Sequence, residues 1–463
     1  MTTTPDGSPG SPGNLPRAPG RVPRLGRTVL DMNRYQWTVL FAAWLGWGFD
    51  VFDGLLFNFV APNAVPTLLG LQIGTPAAGA ATFKWTGILT SILLLGWGAG
   101  GIIFGHVADR IGRTRTLMLT MLLYALGTAA CAGATNIWML IAFRVVASLG
   151  IGGEWAAGAA MVAEVVPERR RVEAGALLYT SAPMGLFLAT FVDGWIAGNL
   201  FKSSPETSWR FVFLCGLIPA AVAFIVRMFI KEPERWQAAA QTSAHPRLRE
   251  LFSPEYRRAT RSGFAMAVIA LITWWGVNAF IPIVASGLAQ ATAHADGLDR
   301  AATLTLVEGW KQRATNAFNL GGLIGTLLTI PAAKVLGRRT MFGIYYALSA
   351  VAVMTTFGLH MPAVARLDMY FFIGLTVFGV FGSFTYYLPE LFPTRLRGTG
   401  AGFCYNVGRI VAAAGPFLVG TIAARGTDAL GTAMHLLFFV GIAPIVGVLL
   451  LPLAVETKGR ELA

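Results

Sequence analysis

GHVADRIGRTR, residues 105–115, is a short polar and basic stretch that joins two apolar segments. Part of it recurs later, because ADRIGR at 108–113 matches AKVLGR at 333–338, which also joins two apolar segments. The two copies are 225 residues apart. A loop that recurs with the same neighbours at such a distance indicates that a whole unit of structure has been duplicated.

Two other pairs of stretches repeat at almost the same distance. The pattern E-x-x-P-x-R-x-R occupies residues 164–171 and again residues 390–397, and WGFDVF at 47–52 is echoed by WGVNAF at 275–280. Their offsets are 226 and 228 residues. Three matches at nearly one offset predict two duplicated halves, and parallel repeats of this kind place a binding site near the interface between them.

The composition is that of a membrane protein. Of 463 residues, 55% are hydrophobic and 13% are charged, about half the ~25% charged residues of a soluble domain. Apolar runs recur at lengths near the ~20 residues that a helix needs to cross a bilayer. We therefore predict an all-α membrane protein with twelve transmembrane helices in two pseudo-symmetric six-helix bundles, at 35–60, 85–108, 116–134, 137–163, 174–198, 209–230, 262–288, 313–333, 340–360, 367–388, 399–422 and 433–455.

The net charge of +13 follows the predicted topology and is not gathered into a nucleic-acid-binding surface. Lys and Arg concentrate in the first tail and in every second loop between the predicted spans. This alternation is the bias that keeps positive loops in the cytoplasm. We predict a multi-pass protein of the bacterial inner (cytoplasmic) membrane with both termini cytoplasmic, which contacts the lipid bilayer and no nucleic acid.

Polar stretches set the predicted boundaries. The first residues are rich in Pro, Gly, Ser, Thr and Arg without an apolar core, which is typical of a disordered tail and not of a cleaved signal. The longest later polar stretch lies near the middle of the chain. We predict a disordered cytoplasmic tail, an amino-terminal bundle, a cytoplasmic linker, a carboxy-terminal bundle and a short cytoplasmic tail at 1–33, 34–230, 231–261, 262–456 and 457–463.

The three cysteines, Cys131, Cys215 and Cys404, all fall inside apolar segments. Their placement predicts ordinary buried thiols, without a disulfide framework or a metal site. The sequence also contains no nucleophile–base constellation and only a short linker. We therefore predict no cofactor, no metal and no enzymatic activity, and we expect a monomer.

The stretch at 105–115 resembles the G-x-x-x-D-R-x-G-R signature loop of major facilitator transporters. RVVASLGIGGEW at 144–155 is similar to the R-x-x-x-G-x-G-x-G-G-E-W of metabolite:proton symporters, with Ser148 in place of the first glycine. FDVFD at 49–53 and LPELFPTRLRGTG at 388–400 resemble the sialate:proton and aromatic acid:proton branches. The resemblance covers about 34–460 and implies a two-lobed fold and proton-coupled symport.

Among the ionisable residues inside the predicted spans, Asp50, Asp53, Arg144, Glu154 and Arg409 have no counterpart in the other half. Such residues are costly in a bilayer and mark functional sites. Asp50 and Asp53 are three positions apart and so share a helix face, where two neighbouring acids can hold a proton between them. We predict that the proton-coupling residues are Asp50, Asp53 and Glu154.

Arg409 is the predicted counter-charge for a substrate carboxylate, because its planar donor fork matches that group. Asn406 lies three positions earlier on the same helix face and can add hydrogen bonds. Aromatic side chains in the second half can cover an apolar face of the substrate. We predict a substrate site formed by Arg409, Asn406, Arg144, Trp274, Trp275, Asn278, Tyr386 and Tyr387.

Acidic and basic residues that recur in both halves lie at the cytoplasmic ends of the predicted helices. Carboxylate–guanidinium pairs there form strong, two-pronged ion pairs that can hold the halves closed. We predict that the gating residues are Asp109, Arg113, Glu164, Arg169, Arg171, Glu390, Arg395 and Arg397.

Together these features predict a secondary active transporter that carries a small organic anion with protons by alternating access. The anion is expected to be a monocarboxylate, such as a sugar acid or an aromatic acid. ETKGR at 456–460 resembles the end of sugar porters, so a carrier of a neutral sugar or polyol is the alternative. A non-transporting membrane sensor on the same scaffold is a third possibility.

Overall fold

The computed structural model describes residues 32–111, 113–167, 170–228, 248–393 and 396–459. In these residues each predicted span coincides with one helix or with a row of helical segments, which confirms the all-α fold. Nine of the described helices are long and apolar enough to cross a bilayer, and two more, Arg115–Cys131 and Ile137–Gly152, are shorter apolar helices. The predicted tail up to residue 31 and the linker residues 231–247 lie outside the described residues.

Six helices form the amino-terminal half. The first four are α1 Arg34–Leu68, α2 Pro76–Ile111, α3 Arg113–Cys131 and α4 Ile137–Val165. Helix α5 comprises Arg171–Tyr179, Ser181–Trp195 and the π-helical turn Ile196–Leu200, and α6 comprises Pro205–Cys215 and Leu217–Met228.

Six more helices form the carboxy-terminal half, after a 3₁₀ turn at Leu248–Phe252. Helix α7 comprises Arg257–Asn278 and Ile281–Ala295, and it is followed by α8 Arg300–Leu336 and α9 Arg338–Gly358. Helix α10 comprises Ala363–Ile373, the π-helical turn Gly374–Phe378, the 3₁₀ turn Gly379–Ser383 and Phe384–Glu390. Helix α11 comprises Arg397–Ala412 and Ala414–Ala423, and α12 comprises Ala429–Val440, Ile442–Leu449 and the 3₁₀ turn Leu451–Leu453.

Successive helices run in opposite directions through the bundle. We call the end at which α1 begins and α12 ends the near end, and the opposite end the far end. The connections α2–α3, α4–α5, α8–α9 and α10–α11 lie at the near end, whereas α1–α2, α7–α8 and α9–α10 lie at the far end.

A polar cap sets the start of α8. The side chain of Asp299 accepts a hydrogen bond from the backbone N–H of Ala302 at 2.7 Å, which satisfies one of the free donors of the first helical turn. The helix therefore begins at Arg300, well ahead of the predicted span 313–333. This longer helix contains Lys311, which the predicted span leaves outside.

The outside of the bundle is apolar. Side chains such as Trp138, Phe191 and Leu449 are more than half exposed, while acids and bases including Asp50 and Arg144 are buried. A protein in water would bury such apolar surface, whereas lipid chains cover it without cost. The surface thus agrees with the membrane class predicted from composition.

Glycines allow close helix contacts within and between the halves. A side chain at Gly152 of α4 would collide with the backbone of α2 at Gly101, and one at Gly185 of α5 would collide with the backbone of α1 at Gly48. The halves meet most extensively along two helix pairs, α2 with α11 and α5 with α8, and further contacts join α1 to α7 and α5 to α10. These contacts place α1, α2, α5, α7, α10 and α11 around the centre of the bundle.

Candidate functional site

The two halves enclose a small cavity midway along α1 and α11. Its volume is about 30 Å³, roughly the share of one water molecule in the liquid. Three helices of each half line it, through Trp47, Val51, Leu55, Trp97, Tyr179, Ala182, Leu271, Trp274, Trp275, Phe378, Phe381, Tyr405 and Arg409. A cavity of this size is too small for a molecule such as a sugar acid or an aromatic acid.

Irregular helix geometry surrounds the cavity. Tyr179 lies at the end of the first segment of α5, beside the break at Thr180. Phe378 and Phe381 lie in the π-helical and 3₁₀ turns of α10. Such departures from α-helical geometry occur frequently at functional sites, and three of them carry aromatic side chains of the cavity wall.

Arg409 places a buried positive charge in the cavity wall. It is 3% exposed, and its guanidinium carbon lies 4.1 Å from the centroid of the Trp97 ring and 4.6 Å from that of Tyr405. Its Nη1 donates to Oδ1 of Asn406 at 3.1 Å, and the carboxylate of Asp50 is near enough to attract it electrostatically. The predicted neighbours Arg409 and Asn406 therefore lie together, and their role in binding remains a prediction.

Two indole N–H groups of the cavity wall lack hydrogen-bond acceptors among the described residues. These are Nε1 of Trp97 and Nε1 of Trp274, both buried. The predicted residues Trp274 and Trp275 both line the cavity, and Trp275 packs edge-on against Trp97 with ring centroids 6.0 Å apart. A buried donor without an acceptor costs about 1–3 kcal/mol, so an oxygen atom of a bound molecule would stabilise either site.

Asp50 and Asp53 are both buried in α1 but have different neighbours. Asp50 interacts with Arg409 of α11, whereas Oδ2 of Asp53 accepts a hydrogen bond from Oγ1 of Thr128 at 2.7 Å. The charge of Arg144 also attracts Asp53. The two carboxylates therefore share a helix face only approximately, because side chains three residues apart in an α-helix still differ in direction by about 60°.

Arg144 does not line the cavity, in contrast to its predicted role in substrate binding. It is 1% exposed, and its guanidinium donates to the carbonyl oxygens of Asp53 at 3.4 Å and Gly54 at 2.5 Å. It therefore holds α1 against α4 inside the amino-terminal half. The side chain of Glu154, which was predicted to join the coupling, lies outside the described residues.

Three other predicted substrate residues are absent from the cavity wall among the described residues. The hydroxyl of Tyr387 forms a hydrogen bond with Oγ of Ser262 at 2.7 Å, towards the near end. The Tyr386 hydroxyl donates to the carbonyl of Thr329 at 3.4 Å, and Asn278 ends the first segment of α7. The two tyrosine side chains join helices of the carboxy-terminal half to one another.

Comparison with known proteins decides the family. The family model described as Major Facilitator Superfamily matches residues 37–416. This chain belongs to the Major Facilitator Superfamily.

Relatives and solved structures of this superfamily agree with that assignment. The chain is 29% identical to the "Probable 4-methylmuconolactone transporter" of Cupriavidus pinatubonensis, over 92% of this chain and 91% of that protein. It is 26% identical to the "Gentisate transporter" of Corynebacterium glutamicum, over 86% of this chain and 84% of that protein. The crystal structure of a D-xylose-proton symporter superposes with a TM-score of 0.68 at 16% identity, over 92% of this chain and all of that one, which shows a common fold.

At the near end, this major facilitator protein has an ion pair between its halves that the sequence did not predict. Nζ of Lys334, in the last turn of α8, pairs with Oε1 of Glu173, in the first turn of α5. Arg170 reaches the same carboxylate oxygen at 3.2 Å. The near end is therefore closed by charged contacts between α5 and α8.

Glu390 has a partner other than the predicted ones. Its carboxylate accepts hydrogen bonds from Arg338 at 2.8 and 3.1 Å and from Thr457 at 2.6 Å, all within the carboxy-terminal half. Nε of Arg397 donates to the carbonyl of Pro389 at 3.1 Å. These hydrogen bonds hold α9, α10 and α11 together within the carboxy-terminal half.

The remaining predicted gating residues lie outside the described part of the structure. This applies to Arg169 and Arg395 entirely, and to the side chains of Asp109, Arg113, Glu164 and Arg171. By the repeat offsets of 225 and 226 residues, Arg113 and Glu164 correspond to Arg338 and Glu390.

Towards the far end lies a buried charged cluster that the sequence reasoning also missed. Nζ of Lys311 on α8 lies 2.9 Å from Oδ2 of Asp193 on α5 and 2.8 Å from Oε2 of Glu308. Lys311 also donates to the carbonyl of Phe59 on α1 at 3.2 Å. The sequence could have indicated Asp193, because an acid within an apolar span is unusual. Glu308 and Lys311 precede the predicted span 313–333, so the sequence placed them in a loop.

Proposed function

We propose that this protein is a proton-coupled symporter of a small organic anion and works by alternating access between its two halves. The observation that carries the proposal is Arg409, a buried cation in the wall of the central cavity. A fixed charge at such a position is costly in a membrane protein unless it has a function. Its planar donor fork suits a carboxylate better than a neutral sugar hydroxyl.

In this proposal Asp50 and the substrate carboxylate compete for Arg409, and this competition couples proton transport to substrate transport. Asp50 attracts Arg409 in this closed arrangement. When Asp50 takes up a proton, that attraction ends and the guanidinium is free to bind a substrate carboxylate. When the substrate leaves, Asp50 can give up its proton and pair with Arg409 again. One proton and one monoanion then cross together without net charge.

Asp53 is the second candidate for the transported proton. Its carboxylate is buried between Thr128 of α3 and Arg144 of α4, away from the substrate cavity. A proton bound there would weaken the contact with Arg144 and so loosen α1 within its half. We prefer Asp50 as the residue that carries the proton, because it interacts directly with Arg409, the proposed binding group for the substrate carboxylate.

The aromatic wall favours a substrate with a planar or cyclic body. Faces and edges of Trp47, Tyr179, Phe378 and Phe381 surround the cavity, and stacking on aromatic rings adds about 0.5–1.5 kcal/mol per contact. The free N–H groups of Trp97 and Trp274 would bind further oxygen atoms of the substrate. The names of the relatives, transporters of 4-methylmuconolactone and of gentisate, support a small organic acid or a related ring compound.

We assign the near end to the cytoplasm and the far end to the outer solution. Lys and Arg concentrate in the tail and in the loops at the near end, as the positive-inside bias requires. The contacts of Lys334 at the near end and of Lys311 towards the far end then correspond to an occluded state with both gates closed.

Uptake into proteoliposomes tests the proposal. We expect labelled carboxylates, including aromatic and sugar acids, to accumulate only under an inward proton gradient, and neutral sugars not to accumulate. Asp50→Asn should abolish accumulation while substrate exchange continues, because the variant binds substrate but releases no proton. Arg409→Lys should raise the KM about tenfold or more, since it keeps the charge and loses the two-pronged geometry.

Arg425→Lys is the matched control, because Arg425 is exposed at the far end of α11, and its KM should equal that of the wild type. Accumulation of neutral sugars that is indifferent to Arg409 would contradict the proposal and favour the sugar-carrier alternative. Unchanged accumulation by Asp50→Asn would remove Asp50 from the coupling.

A further inference from the structure

The charged cluster around Lys311 has one more acid than base. Asp193, Glu308 and Lys311 are each less than a tenth exposed, and with all three ionised the cluster has a net charge of −1. One lysine balances one carboxylate at contact distance. A second buried carboxylate without a counter-charge is strongly disfavoured, so a bound proton is the simplest way to make the cluster neutral.

The geometry of the two carboxyl groups points to the same proton. Nζ of Lys311 lies 2.9 Å from Oδ2 of Asp193 and 2.8 Å from Oε2 of Glu308, so one lysine holds the two carboxyl groups close together, where each raises the affinity of the other for a proton. Oδ1 of Asp193 is buried and receives no hydrogen bond from any donor among the described residues. A proton held between the two acids supplies the missing donor.

Other groups around the outer part of α8 do not balance the charge. From α1, the carbonyl of Phe59 and the side-chain amide of Asn63 face Lys311 and Glu308. On α10, Asp368 pairs with Arg313 at an exposed site, and on α7 His294 is exposed.

Two further charged residues near the far end, one basic and one acidic, have partners outside the cluster. The guanidinium of Arg366 on α10 donates to the carbonyls of Thr356 and Leu359. Glu206 at the start of α6 pairs with Arg300 at the exposed start of α8. Within the described residues, therefore, Lys311 is the one cation in contact with the two buried acids.

The cluster joins the two halves, so its charge bears on their separation. Asp193 belongs to α5, whereas Glu308 and Lys311 belong to α8. When the far end opens, Glu308 and Lys311 stay together as a neutral pair on one helix, and Asp193 moves away into water. When it closes, Asp193 returns, and the cluster is neutral again only if a proton comes with it.

We propose that Asp193 and Glu308 form a second proton-binding site, which takes one proton from the outer solution whenever the far end closes. This inference rests on the proposed alternating access and orientation, and it is separate from the coupling through Asp50. Acid in the outer solution then favours the closed far end. Since one proton is involved, the ratio of closed to open molecules changes by up to about tenfold per pH unit.

Spin-label distances across the far end test the proposal without any substrate. Labels at Ser203→Cys and Ala301→Cys, which are exposed on opposite halves, are measured in nanodiscs between pH 5 and pH 8. The native cysteines Cys131, Cys215 and Cys404 are replaced by alanine. We expect the short-distance population to grow as the pH falls.

Two variants and a control complete the test. Asp193→Asn and Glu308→Gln each leave a neutral cluster without a bound proton, so their distance distributions should be independent of pH. Asp368→Asn removes an exposed acid that is also paired to α8, and it should keep the wild-type response.

A wild-type distribution that does not change with pH, or variants that keep the full response, would overturn the proposal. Because no substrate is present, these outcomes are independent of the uptake assay. Failure of uptake with an intact pH response would count against the proposed function alone.

Discussion

Asp53 and Arg144 are a buried pair of oppositely charged neighbours inside the amino-terminal half, and the charge of Arg144 attracts the Asp53 carboxylate. Each is 1% exposed, and Thr128, the carbonyl of Gly54 and the backbone of Asp53 itself provide the remaining hydrogen bonds. A buried pair of this kind contributes little when compared with apolar residues of equal size, but removal of one partner leaves a charge without compensation.

We therefore expect Arg144→Ala to lower the free energy of unfolding by about 3 kcal/mol or more. Unfolding of the purified protein in detergent, followed by circular dichroism against denaturant, measures the change. The double variant Asp53→Asn/Arg144→Ala should recover part of the loss, because the isolated buried charge is then gone. Arg313→Ala, which breaks the exposed pair with Asp368, should cost less than about 1 kcal/mol; an equal loss in both single variants would contradict the argument.

At the residue scale, the sequence indicated which charged and aromatic residues lie near the cavity better than it indicated the contacts that they make. Arg409, Asn406, Trp274 and Trp275 were predicted for the site, and all four lie at or beside the cavity. Spacing along one helix predicted the pairing of Asn406 with Arg409 because residues three apart are neighbours. It could not predict that Arg409 lies on the ring of Trp97, since that contact joins two helices from different halves.

A single carboxylate from the end of the chain caps helix α9. The residue before that helix, Gly337, provides no side-chain cap. Glu456 takes its place: its Oε1 accepts from the backbone N–H of Arg338 and its Oε2 from that of Arg339, both at 3.0 Å. Burial alone would raise the pKa of Glu456, but these hydrogen bonds, one from Lys458 and the charge of Arg338 together lower it below its ordinary 4.5.

Glu456→Ala should therefore destabilise the protein by about 1 kcal/mol at neutral pH, as for loss of an N-cap. The same denaturant titration measures it, with Glu255→Ala as control, because Glu255 is exposed. The folded-state pKa lies below the unfolded one, so the contribution is complete above about pH 4.5 and is lost as the pH falls through the folded value. A difference between wild type and variant that persists unchanged down to pH 3 would refute this account.

At the element scale, hydropathy predicted the presence of each helix but not the breaks and irregular turns within it. Each of the twelve spans was found, since apolar length is a strong signal. The breaks at Thr180 in α5 and at Gly374–Phe378 in α10 were not predicted, because irregular turns in a membrane helix depend on packing by neighbouring helices and not on hydrophobicity. The cap from Glu456 was missed for a similar reason, as it lies more than a hundred residues from the helix that it caps.

On the scale of the whole molecule, α5 and α8 carry charged contacts at both ends. Glu173 and Lys334 meet at the near end, and Asp193 and Lys311 meet towards the far end. The other interface, between α2 and α11, relies on glycine contacts such as Gly87 with Gly420. The halves are therefore alike in topology but unequal in the chemistry that joins them.

Lys334→Ala should shift the protein towards a near-end-open state by about fivefold, since a partly exposed ion pair contributes up to about 1 kcal/mol. Spin labels at Arg115→Cys and Thr340→Cys, both exposed at the near end on opposite halves, report the separation. Arg258→Ala removes an exposed cation at the same end and should leave the distances unchanged. An unaltered distribution in Lys334→Ala would show that this pair does not hold the gate.

The repeat predicted the two-fold architecture but not these interfaces. Internal symmetry indicates which helices correspond, and the pairs α2–α11 and α5–α8 are indeed equivalent under the repeat. It says nothing about residues that one copy has and the other lacks, and Asp193, Glu308 and Lys311 belong to that group. Contacts between halves join positions with no periodic relation, so only the folded arrangement reveals them.

Helix α8 is one helix from Arg300 to Leu336, with Pro331 inside it, and it is about 55 Å long at 1.5 Å per residue. Lys311 and Lys334 lie some 35 Å apart along that helix, and each forms an ion pair with an acid of α5. A helix held to its neighbour at two distant points is expected to tilt when one contact breaks and the other remains. Under the proposed alternating access, this single helix would link the contact at the near end to the contact towards the far end, and opening both at once would require α8 to bend or to leave α5 altogether.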